Sequence, residues 1–356
     1  MIRELTVKNF RGFEHLEIPS LSNFNLIIGK NNVGKTALLE AVFLNVGQLN
    51  TATPIKIQSF RGINAQKLSN EFLWGFMFNK VNLSETIEIT SIDNINHIRA
   101  LKINFERSNI SKGQANPKIN EVVASESVHS TDISNDVLKF TFRKDNDPSE
   151  YSYGKIQDGE IIYDNLKTSD LYGIFCTSNR QGRSTENAER FSSIDIKGQQ
   201  TDLINILQKL EPRLKRLLTV PIGPASYIFG ELDFGRAIPI QLMGEGISQL
   251  ITIALAIMTA KGGIVMIDEI ENGIHYSVMP IIYDSIIELA KRQGVQIFAT
   301  THSYETMKSL FRVFEKKDLE NFSIIRLDRN DNKIDTKVYH DKNDLKIIFD
   351  ENWEIR

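Results

Sequence analysis

The chain of 356 residues is long enough to bury a large core and to form one large domain or two. Its hydrophobic content of 41% and charged content of 24% are those of an ordinary folded protein, and the net charge of −3 argues against a protein that coats nucleic acid by bulk charge. The single cysteine, Cys176, allows no internal disulfide bond and lies among apolar residues that predict an inert core thiol. The longest apolar run, residues 250–260, is too short to cross a bilayer, and no signal-peptide pattern opens the chain, so we expect a cytoplasmic protein without a membrane partner.

The N-terminal segment predicts a hairpin followed by a phosphate-binding loop. Residues 2–10 and 13–18 alternate apolar and polar side chains, as two paired strands do. Residues 24–28 are a short apolar run typical of a buried strand. The next eight residues fit G-x-x-x-x-G-K-[ST], and a helix is predicted to begin inside the motif.

This loop has the features that a triphosphate site needs. Gly29 and Gly34 let the backbone turn tightly beside phosphate oxygens, and the helix N-terminus then faces the anion. Lys35 is expected to reach the β- and γ-phosphates, and the Thr36 hydroxyl is expected to ligate Mg²⁺. The residues predicted to bind ATP here are Gly29, Lys30, Asn31, Asn32, Val33, Gly34, Lys35, Thr36 and Ala37.

The middle of the chain predicts an antiparallel sheet and then a helix. Strand-like segments occur at residues 85–90, 97–105, 137–142 and 160–163. The polar residues 50–59 predict a mobile connection, and residues 106–134 predict a flexible excursion. Residues 198–218 predict an amphipathic helix that Pro212 breaks or kinks.

From residue 238 the pattern changes to alternating helices and buried strands. Helices are predicted at residues 246–260, 276–292 and near Ser303, and strands at residues 263–267, 295–300, 322–327 and 334–339. Alternation of this kind indicates parallel strands covered by helices.

Two adjacent acids follow the apolar strand at residues 263–267. Such a strand delivers Asp268 to the carboxyl edge of the sheet, where ligands bind in open α/β sheets. Asp268 is expected to hold Mg²⁺, and Glu269, pointing elsewhere, is suited to polarise an attacking water. The alternative is an acidic strand end that only caps a helix.

Two further motifs complete the set. His302 follows the strand at residues 295–300 and would sit near the γ-phosphate, although a histidine at a strand end is also a common structural residue. Gly244 and Gly246 precede the buried helix and make a second anion-binding concavity, which could serve the site of a partner subunit. A simple helix cap is the alternative for this segment.

The order of these four motifs resembles that of the ABC-type ATPases, in particular the RecF/SMC/OLD branch. Residues 9–13 read Asn-Phe-Arg-Gly-Phe, which often opens members of that branch, and residues 268–275 resemble its joined Walker B and D-loop. The likeness is greatest to free-standing prokaryotic "AAA family" ATPases that are related to OLD proteins but lack their TOPRIM nuclease domain.

The resemblance implies an α/β P-loop NTPase of the ABC-ATPase head type. Its core would be a mixed β-sheet with helices on its faces, joined by an antiparallel N-terminal β-lobe and an α-helical insertion. The corresponding divisions are an N-terminal lobe with the Walker A motif at residues 1–105, a β/helical insertion at 106–230, and a C-terminal lobe at 231–356.

The resemblance also implies roles for single residues. Lys35 would be the Walker A lysine, Thr36 and Asp268 the Mg²⁺ ligands, Glu269 the catalytic glutamate and His302 the switch histidine. Two more sets would contact nucleotide, namely Arg11 and the signature residues Gly244, Gly246 and Ser248, the latter across an ATP-sandwiched dimer. The signature reads Gly-Glu-Gly-Ile-Ser-Gln where the family has Ser-Gly-Gly-Gln, and Gln58 and Gln66 are candidates for the Q-loop glutamine by position only.

The leading interpretation is therefore an ATP-binding and ATP-hydrolysing protein that forms a homodimer or a higher even oligomer. Its ATP cycle would act on a separate effector, such as a nuclease or toxin, or on DNA or RNA, with phage or plasmid defence as the favoured setting. A RecF-like repair ATPase and a nucleotide-dependent switch that barely hydrolyses ATP are the alternatives.

A basic run provides the hypothesis of nucleic-acid contact. Lys209, Arg213, Lys215 and Arg216 fall on the helix predicted at residues 198–218, and Arg180, Arg183 and Arg190 lie nearby in sequence. A solvated helix face is the alternative explanation for this run.

Overall fold

The computed structural model describes residues 1–63, 70–107, 136–157, 160–164, 169–178, 183–317, 321–331, 333–340 and 343–345. The strands in chain order are β1 (Ile2–Phe10), β2 (Phe13–Ile18), β3 (Phe24–Gly29), β4 (Ile87–Asp93), β5 (Ile98–Glu106), β6 (Val137–Lys144), β7 (Glu150–Gln157), β8 (Glu160–Asp164), β9 (Gly173–Cys176), β10 (Leu214–Ile222), β11 (Ala225–Leu232), β12 (Ala237–Pro239), β13 (Ile264–Ile267), β14 (Gln296–Thr300), β15 (Phe322–Asn330) and β16 (Lys333–Tyr339). The helices are α1 (Lys35–Gly47), α2 (Thr53–Phe60), α3 (Asn70–Gly75), α4 (Arg183–Ile196), α5 (Gln200–Leu207), α6 (Glu245–Thr259), α7 (Met279–Gln293) and α8 (Tyr304–Lys317), with 3₁₀ turns at Asn79–Val81 and Ile240–Leu242.

A six-stranded mixed sheet carries the site. Its strand order is β16-β15-β3-β14-β13-β9, with β16 antiparallel to its neighbour and the other strands parallel. Because parallel strands end at the same edge of a sheet, the carboxyl ends of β3, β14, β13 and β9 lie side by side. The mixed sheet and the strand alternation predicted from residue 238 onwards are confirmed.

A seven-stranded antiparallel sheet, in the order β2-β1-β4-β5-β6-β7-β8, forms the second layer. Helix α1 packs between the two sheets, with apolar side chains such as Leu38 and Val42 fully buried. A helix that is apolar on all sides is stable only in such a position, where each face is covered. The N-terminal hairpin and the antiparallel sheet are as predicted, and β6 to β8 extend this sheet with strands from the predicted insertion.

Helix α6 forms the centre of the other part of the core. It packs against α4, α5 and α7 and against strands β9 and β13. Its residues from Leu250 to Met258 are buried on every side, as the sequence predicted. Within the described residues, no helix is both long enough and apolar enough to span a membrane.

The helix predicted over residues 198–218 is wrong beyond its first half. Helix α5 ends at Leu207, and the chain re-forms as strand β10 at Leu214, which pairs with β11 and β12 in a small antiparallel sheet. Pro212 lies between the two elements, and a proline both removes a backbone donor and disfavours helical geometry in the residue before it. The buried Leu214 and Leu217 are three residues apart, a spacing that imitated helical periodicity.

The mobile connection predicted at residues 50–59 is also wrong. Residues 53–60 form α2, and Thr53, Pro54, Ile57 and Gln58 are buried in it. Pro54 occupies the first turn, where proline fits a helix because the missing N–H has no intrahelical acceptor there. Most of the excursion predicted at residues 106–134 falls outside the described residues.

Candidate nucleotide site

The phosphate loop joins the end of β3 to the start of α1. Gly29 and Gly34 have φ values of +142° and +109°, and a Cβ on Gly29 would collide with the carbonyl of Leu327. Glycine is the residue that adopts these conformations at low cost. Lys30, Asn31 and Asn32 are exposed, whereas Val33 and Ala37 are buried and anchor the loop.

The Lys35 ammonium is folded over this loop. Its Nζ donates to the carbonyl oxygens of Gly29 at 2.8 Å and Lys30 at 2.9 Å. Burial lowers the pKa of Lys35, while the nearby carboxylates of Asp268, Glu271 and Glu269 oppose that shift. A buried cation satisfied by two neutral carbonyls can exchange them for phosphate oxygens, which form stronger, charge-assisted hydrogen bonds.

Thr36 and Asp268 meet at the sheet edge. The Thr36 hydroxyl donates to Asp268 Oδ1 at 3.0 Å, and the Thr300 hydroxyl donates to the same oxygen at 2.8 Å. Hydroxyl and carboxylate oxygens are ligands that Mg²⁺ accepts, and Mg²⁺ in nucleotide sites is held by one or two protein groups together with phosphate oxygens. The described residues contain no cluster of three or more His, Cys, Asp or Glu side chains suited to a metal. The Thr36 hydroxyl and the Asp268 carboxylate, which meet at one point, suit a magnesium ion whose other ligands are nucleotide phosphates and water.

Glu269 lies beside this pair and faces His302. Glu269 Oε1 is 3.8 Å from His302 Nε2, and both side chains are about two-fifths exposed, at 41% and 39%. The pKa of Glu269 is raised, first by burial and then by the negative charge of Asp268, and a charged His302 opposes the shift. Glu269 also has a φ of +52°, in the left-handed region of backbone conformation that residues other than glycine and asparagine rarely adopt.

Two strand ends hold Glu269 and His302 in place. The Glu269 N–H donates to the Thr300 hydroxyl at 2.8 Å, and the Ile270 N–H donates to the Thr300 carbonyl at 3.0 Å. The His302 N–H donates to Glu271 Oε1 at 2.8 Å. The structure thus brings together Lys35, Thr36, Asp268, Glu269 and His302 within one chain. Sequence reasoning assigned no role to Thr300 and Glu271, which lie two residues from His302 and from Glu269.

Arg11 pairs with a buried carboxylate on α1. Its Nε is 3.1 Å from Glu40 Oε2, its Nη1 donates to the Phe76 carbonyl at 3.1 Å, and Arg61 Nε binds the other Glu40 oxygen at 2.7 Å. Burial lowers the pKa of Arg11, against the opposing effect of Glu40. Contact of Arg11 with nucleotide stays a prediction. Glu40 and Arg61 were missed, and the one signal was an acidic residue within an otherwise apolar helix.

The signature segment lies at the exposed start of α6. Gly244 has a φ of +115° and precedes the helix, and Gly246 packs toward Val278 and Ile282 at the start of α7. Gly244 is exposed and Ser248 half-buried, so this helix start is open to a second molecule.

The end of β9 adjoins the end of β13, the strand that precedes Asp268. The Asp268 N–H donates to the Cys176 carbonyl at 2.9 Å, and burial raises the pKa of the Cys176 thiol to about 11, which accords with an inert core thiol. Arg183 donates to the Thr177 carbonyl and, at 3.0 Å, to Gln249 of α6, a link that sequence reasoning missed. Gln58 is buried and donates to the Leu73 carbonyl, and Gln66 lies outside the described residues.

The basic run predicted to lie on one helix is divided among several elements. Arg213 precedes β10, Lys215 and Arg216 lie on it, and Lys209 follows α5. Ion pairs join Arg213 to Glu211, Arg216 to Glu231, Lys209 to Glu288, and Arg190 to Glu186. Arg180 lies outside the described residues. The prediction that these residues form one basic helix face is therefore wrong, because two of them lie on strand β10. Acidic partners also offset much of their charge.

Comparison with known proteins agrees with this geometry. The family described as "AAA domain, putative AbiEii toxin, Type IV TA system" matches residues 24–308. An "ATP/GTP phosphatase" of Helicobacter pylori is 26% identical over 385 aligned positions, covering 98% of each chain. An Smc head bound to the C-winged helix domain of ScpA superposes with a TM-score of 0.52 at 15% identity, over 97% of this chain and 99% of that one. The Smc head of Pyrococcus furiosus bound to the C-terminal domain of ScpA gives 0.50 at 14% identity, over 99% of each chain.

The sequence match covers most of the chain, and the solved structures share its fold over nearly the whole length. Both include the strand edge where Lys35, Thr36 and Asp268 meet. The chain therefore belongs to this AAA-domain family, carries a phosphate-binding loop, and has the fold of the Smc heads.

Proposed function

We propose that this protein binds Mg-ATP and hydrolyses it. The observation that supports this most directly is the 3.0 Å hydrogen bond between the Thr36 hydroxyl and Asp268, formed where Lys35 folds over the phosphate loop. This hydrogen bond joins the phosphate loop to the end of strand β13, two segments that are far apart in sequence. The relative named an ATP/GTP phosphatase supports a hydrolytic activity.

Each residue has a distinct role in the proposed reaction. Lys35 and the backbone N–H groups at the start of α1 bind the phosphates, and Thr36 and Asp268 hold the metal ion, which when bound neutralises phosphate oxygens. Glu269 accepts the proton of the attacking water. Its pKa is raised toward neutral pH, which makes its carboxylate a better general base. His302 is positioned 3.8 Å from Glu269, where it can orient that carboxylate.

Asp268→Asn tests the proposed metal site. The amide keeps the size of the side chain but removes the charge that would hold Mg²⁺, so we expect turnover to fall by about 100-fold. Phosphate release is measured in Mg²⁺ and in EDTA for the wild type and the variant. Asp284→Asn is the matched control, since Asp284 pairs with Lys317 on the surface of α7 and α8. A wild type that releases no phosphate in Mg²⁺, or a variant as active as the wild type, would contradict the proposal.

We further propose an ATP-sandwiched homodimer in which the start of α6 contacts the nucleotide of the partner. The exposed helix N-terminus at Gly244 to Ser248 supports this, because the positive end of the helix dipole favours an anion that the same chain need not supply.

Gly246→Glu tests the sandwich. A Cβ at Gly246 would be 3.8 Å from Ile282, an ordinary contact, and glutamate suits a first helical turn, so the folded monomer should tolerate the change. The added negative charge would repel the triphosphate of a partner. We expect light scattering to show ATP-dependent dimers of Glu269→Gln and monomers of Glu269→Gln/Gly246→Glu. Equal dimer formation by both would exclude the trans contact.

The ATP cycle is proposed to control a separate effector. The family description names a toxin of a toxin–antitoxin system, and the similar Smc heads were solved with a bound partner domain, which together favour a defence setting and a protein partner. The second candidate is a nucleotide-dependent switch with slow hydrolysis, which the altered signature sequence favours. The effect of Glu269→Gln, argued below, separates the two.

A further inference from the structure

Thr300, the last residue of β14, makes three hydrogen bonds to the turn that carries Asp268 and Glu269. Its hydroxyl donates to Asp268 Oδ1 at 2.8 Å and accepts the Glu269 N–H at 2.8 Å. Its carbonyl accepts the Ile270 N–H at 3.0 Å. Thr300 is only 1% exposed, so these bonds form in a buried environment where a missing partner is costly.

The directions of these bonds follow from the chemistry of a hydroxyl group. A threonine hydroxyl has one proton and two lone pairs. The Glu269 N–H can only donate, so it occupies a lone pair of Thr300 and leaves the single proton for Asp268. Asp268 Oδ1 accepts a second hydrogen bond, from the Thr36 hydroxyl. Two hydroxyl groups, one from helix α1 and one from strand β14, thereby fix the rotation of one carboxylate.

The same residue holds the backbone of Glu269. The left-handed φ of +52° at Glu269 is unfavourable for a glutamate and persists only where neighbouring groups enforce it. The N–H groups on either side of the Glu269 Cα, its own and that of Ile270, both donate to Thr300, the first to its hydroxyl and the second to its carbonyl. The direction in which Glu269 leaves the strand, toward His302, therefore depends on Thr300.

We propose that Thr300 is a positioning residue of the ATPase site, which aims Asp268 at the metal ion and fixes the turn that presents Glu269 to the water. This inference rests on the proposed function, since it assigns Thr300 a part in that reaction. Thr300 acts through Asp268 and Glu269 and need not touch the nucleotide.

Thr300→Val and Thr300→Ser test this role together. Valine keeps the shape of threonine but can neither donate nor accept, whereas serine keeps the hydroxyl. Groups that orient a metal ligand typically contribute 10- to 100-fold to metal affinity or activity. We expect Thr300→Val to bind ATP normally in EDTA, to lose about 10-fold or more of the gain in ATP affinity that Mg²⁺ confers, and to turn over ATP at least about 10-fold more slowly. Thr300→Ser should keep both the Mg²⁺-dependent gain in ATP affinity and the turnover near their wild-type values.

Calorimetric titration of ATP in Mg²⁺ and in EDTA measures the affinity gain without relying on turnover. Thr259→Val is the control, because the Thr259 hydroxyl is buried without a hydrogen-bond partner among the described residues. The inference would be overturned if Mg²⁺ raised the ATP affinity of Thr300→Val as much as that of the wild type. It would also be overturned if Thr300→Ser were as defective as Thr300→Val. If Thr300→Val does not fold, Thr300→Ala is read in the same way. A wild type without turnover would contradict the proposed function, while the affinity gain would still test Thr300.

Discussion

Glu269→Gln is expected to stop ATP turnover while leaving ATP bound. Glutamine has nearly the shape of glutamate but cannot accept the proton of the attacking water, and a general base contributes about 10²- to 10⁴-fold to a rate. Binding should persist because Lys35, Thr36 and Asp268 are untouched, and because one negative charge near the triphosphate is removed. Single-turnover phosphate release and retention of labelled ATP measure the two effects separately.

The wild-type pH profile gives a second reading of the same residue. The pKa of Glu269 is raised by burial and by Asp268, and the base is active when deprotonated. Turnover of the wild type should therefore increase as the pH rises through that raised pKa. The residual turnover of Glu269→Gln should not show this increase. Glu189→Gln, at an exposed carboxylate on α4, is the matched control. If Glu269→Gln turned over ATP like the wild type, Glu269 would not be the base, and a nucleotide-dependent switch would become the better account.

Much of the site could be predicted because it depends on local sequence and on one topological rule. The glycines of the phosphate loop, the apolar strand before Asp268 and the strand before His302 each show in a few consecutive residues. Parallel strands bring their carboxyl ends to one edge, so the meeting of Thr36 with Asp268 followed without knowledge of the fold. The assignment of chemical roles to these residues stays a prediction.

The parts that could not be predicted depend on partners distant in sequence. The segment from Leu214 to Leu218 has residues that suit a helix face, and its pairing with β11 makes it part of a strand. Thr300 precedes a conspicuous histidine motif, yet its bonds to Asp268 and Glu269 follow from the register of β13 against β14. Likewise, Glu40 reads as a polar residue in an apolar helix until Arg11 and Arg61 are brought to it by the fold.

Glu40→Gln is expected to destabilise the protein strongly. The Glu40 side chain is 2% exposed and divides its two oxygens between Arg11, which is 12% exposed, and Arg61, which is 39% exposed. Removing one member of a buried ion pair costs about 3–5 kcal/mol, because the remaining charge is left buried without compensation. Arg61 can turn to solvent, so we expect about 3 kcal/mol, the lower end of that range. Urea unfolding measures the free energy directly, and ATP affinity should fall as well, since Glu40 joins the β1–β2 turn to the helix that begins at Lys35.

Two comparisons separate this buried charge from an ordinary surface pair. Glu88 pairs with Lys102 at 2.6 Å on the antiparallel sheet and is 32% exposed, so Glu88→Gln should cost less than about 1 kcal/mol. Glu40→Leu/Arg11→Met replaces carboxylate and buried guanidinium together by apolar side chains and should be more stable than Glu40→Gln, because the uncompensated charge is gone. A double variant less stable than Glu40→Gln would show that the hydrogen bond from Arg11 to the Phe76 carbonyl, and not the buried charge, dominates the energetics of this turn.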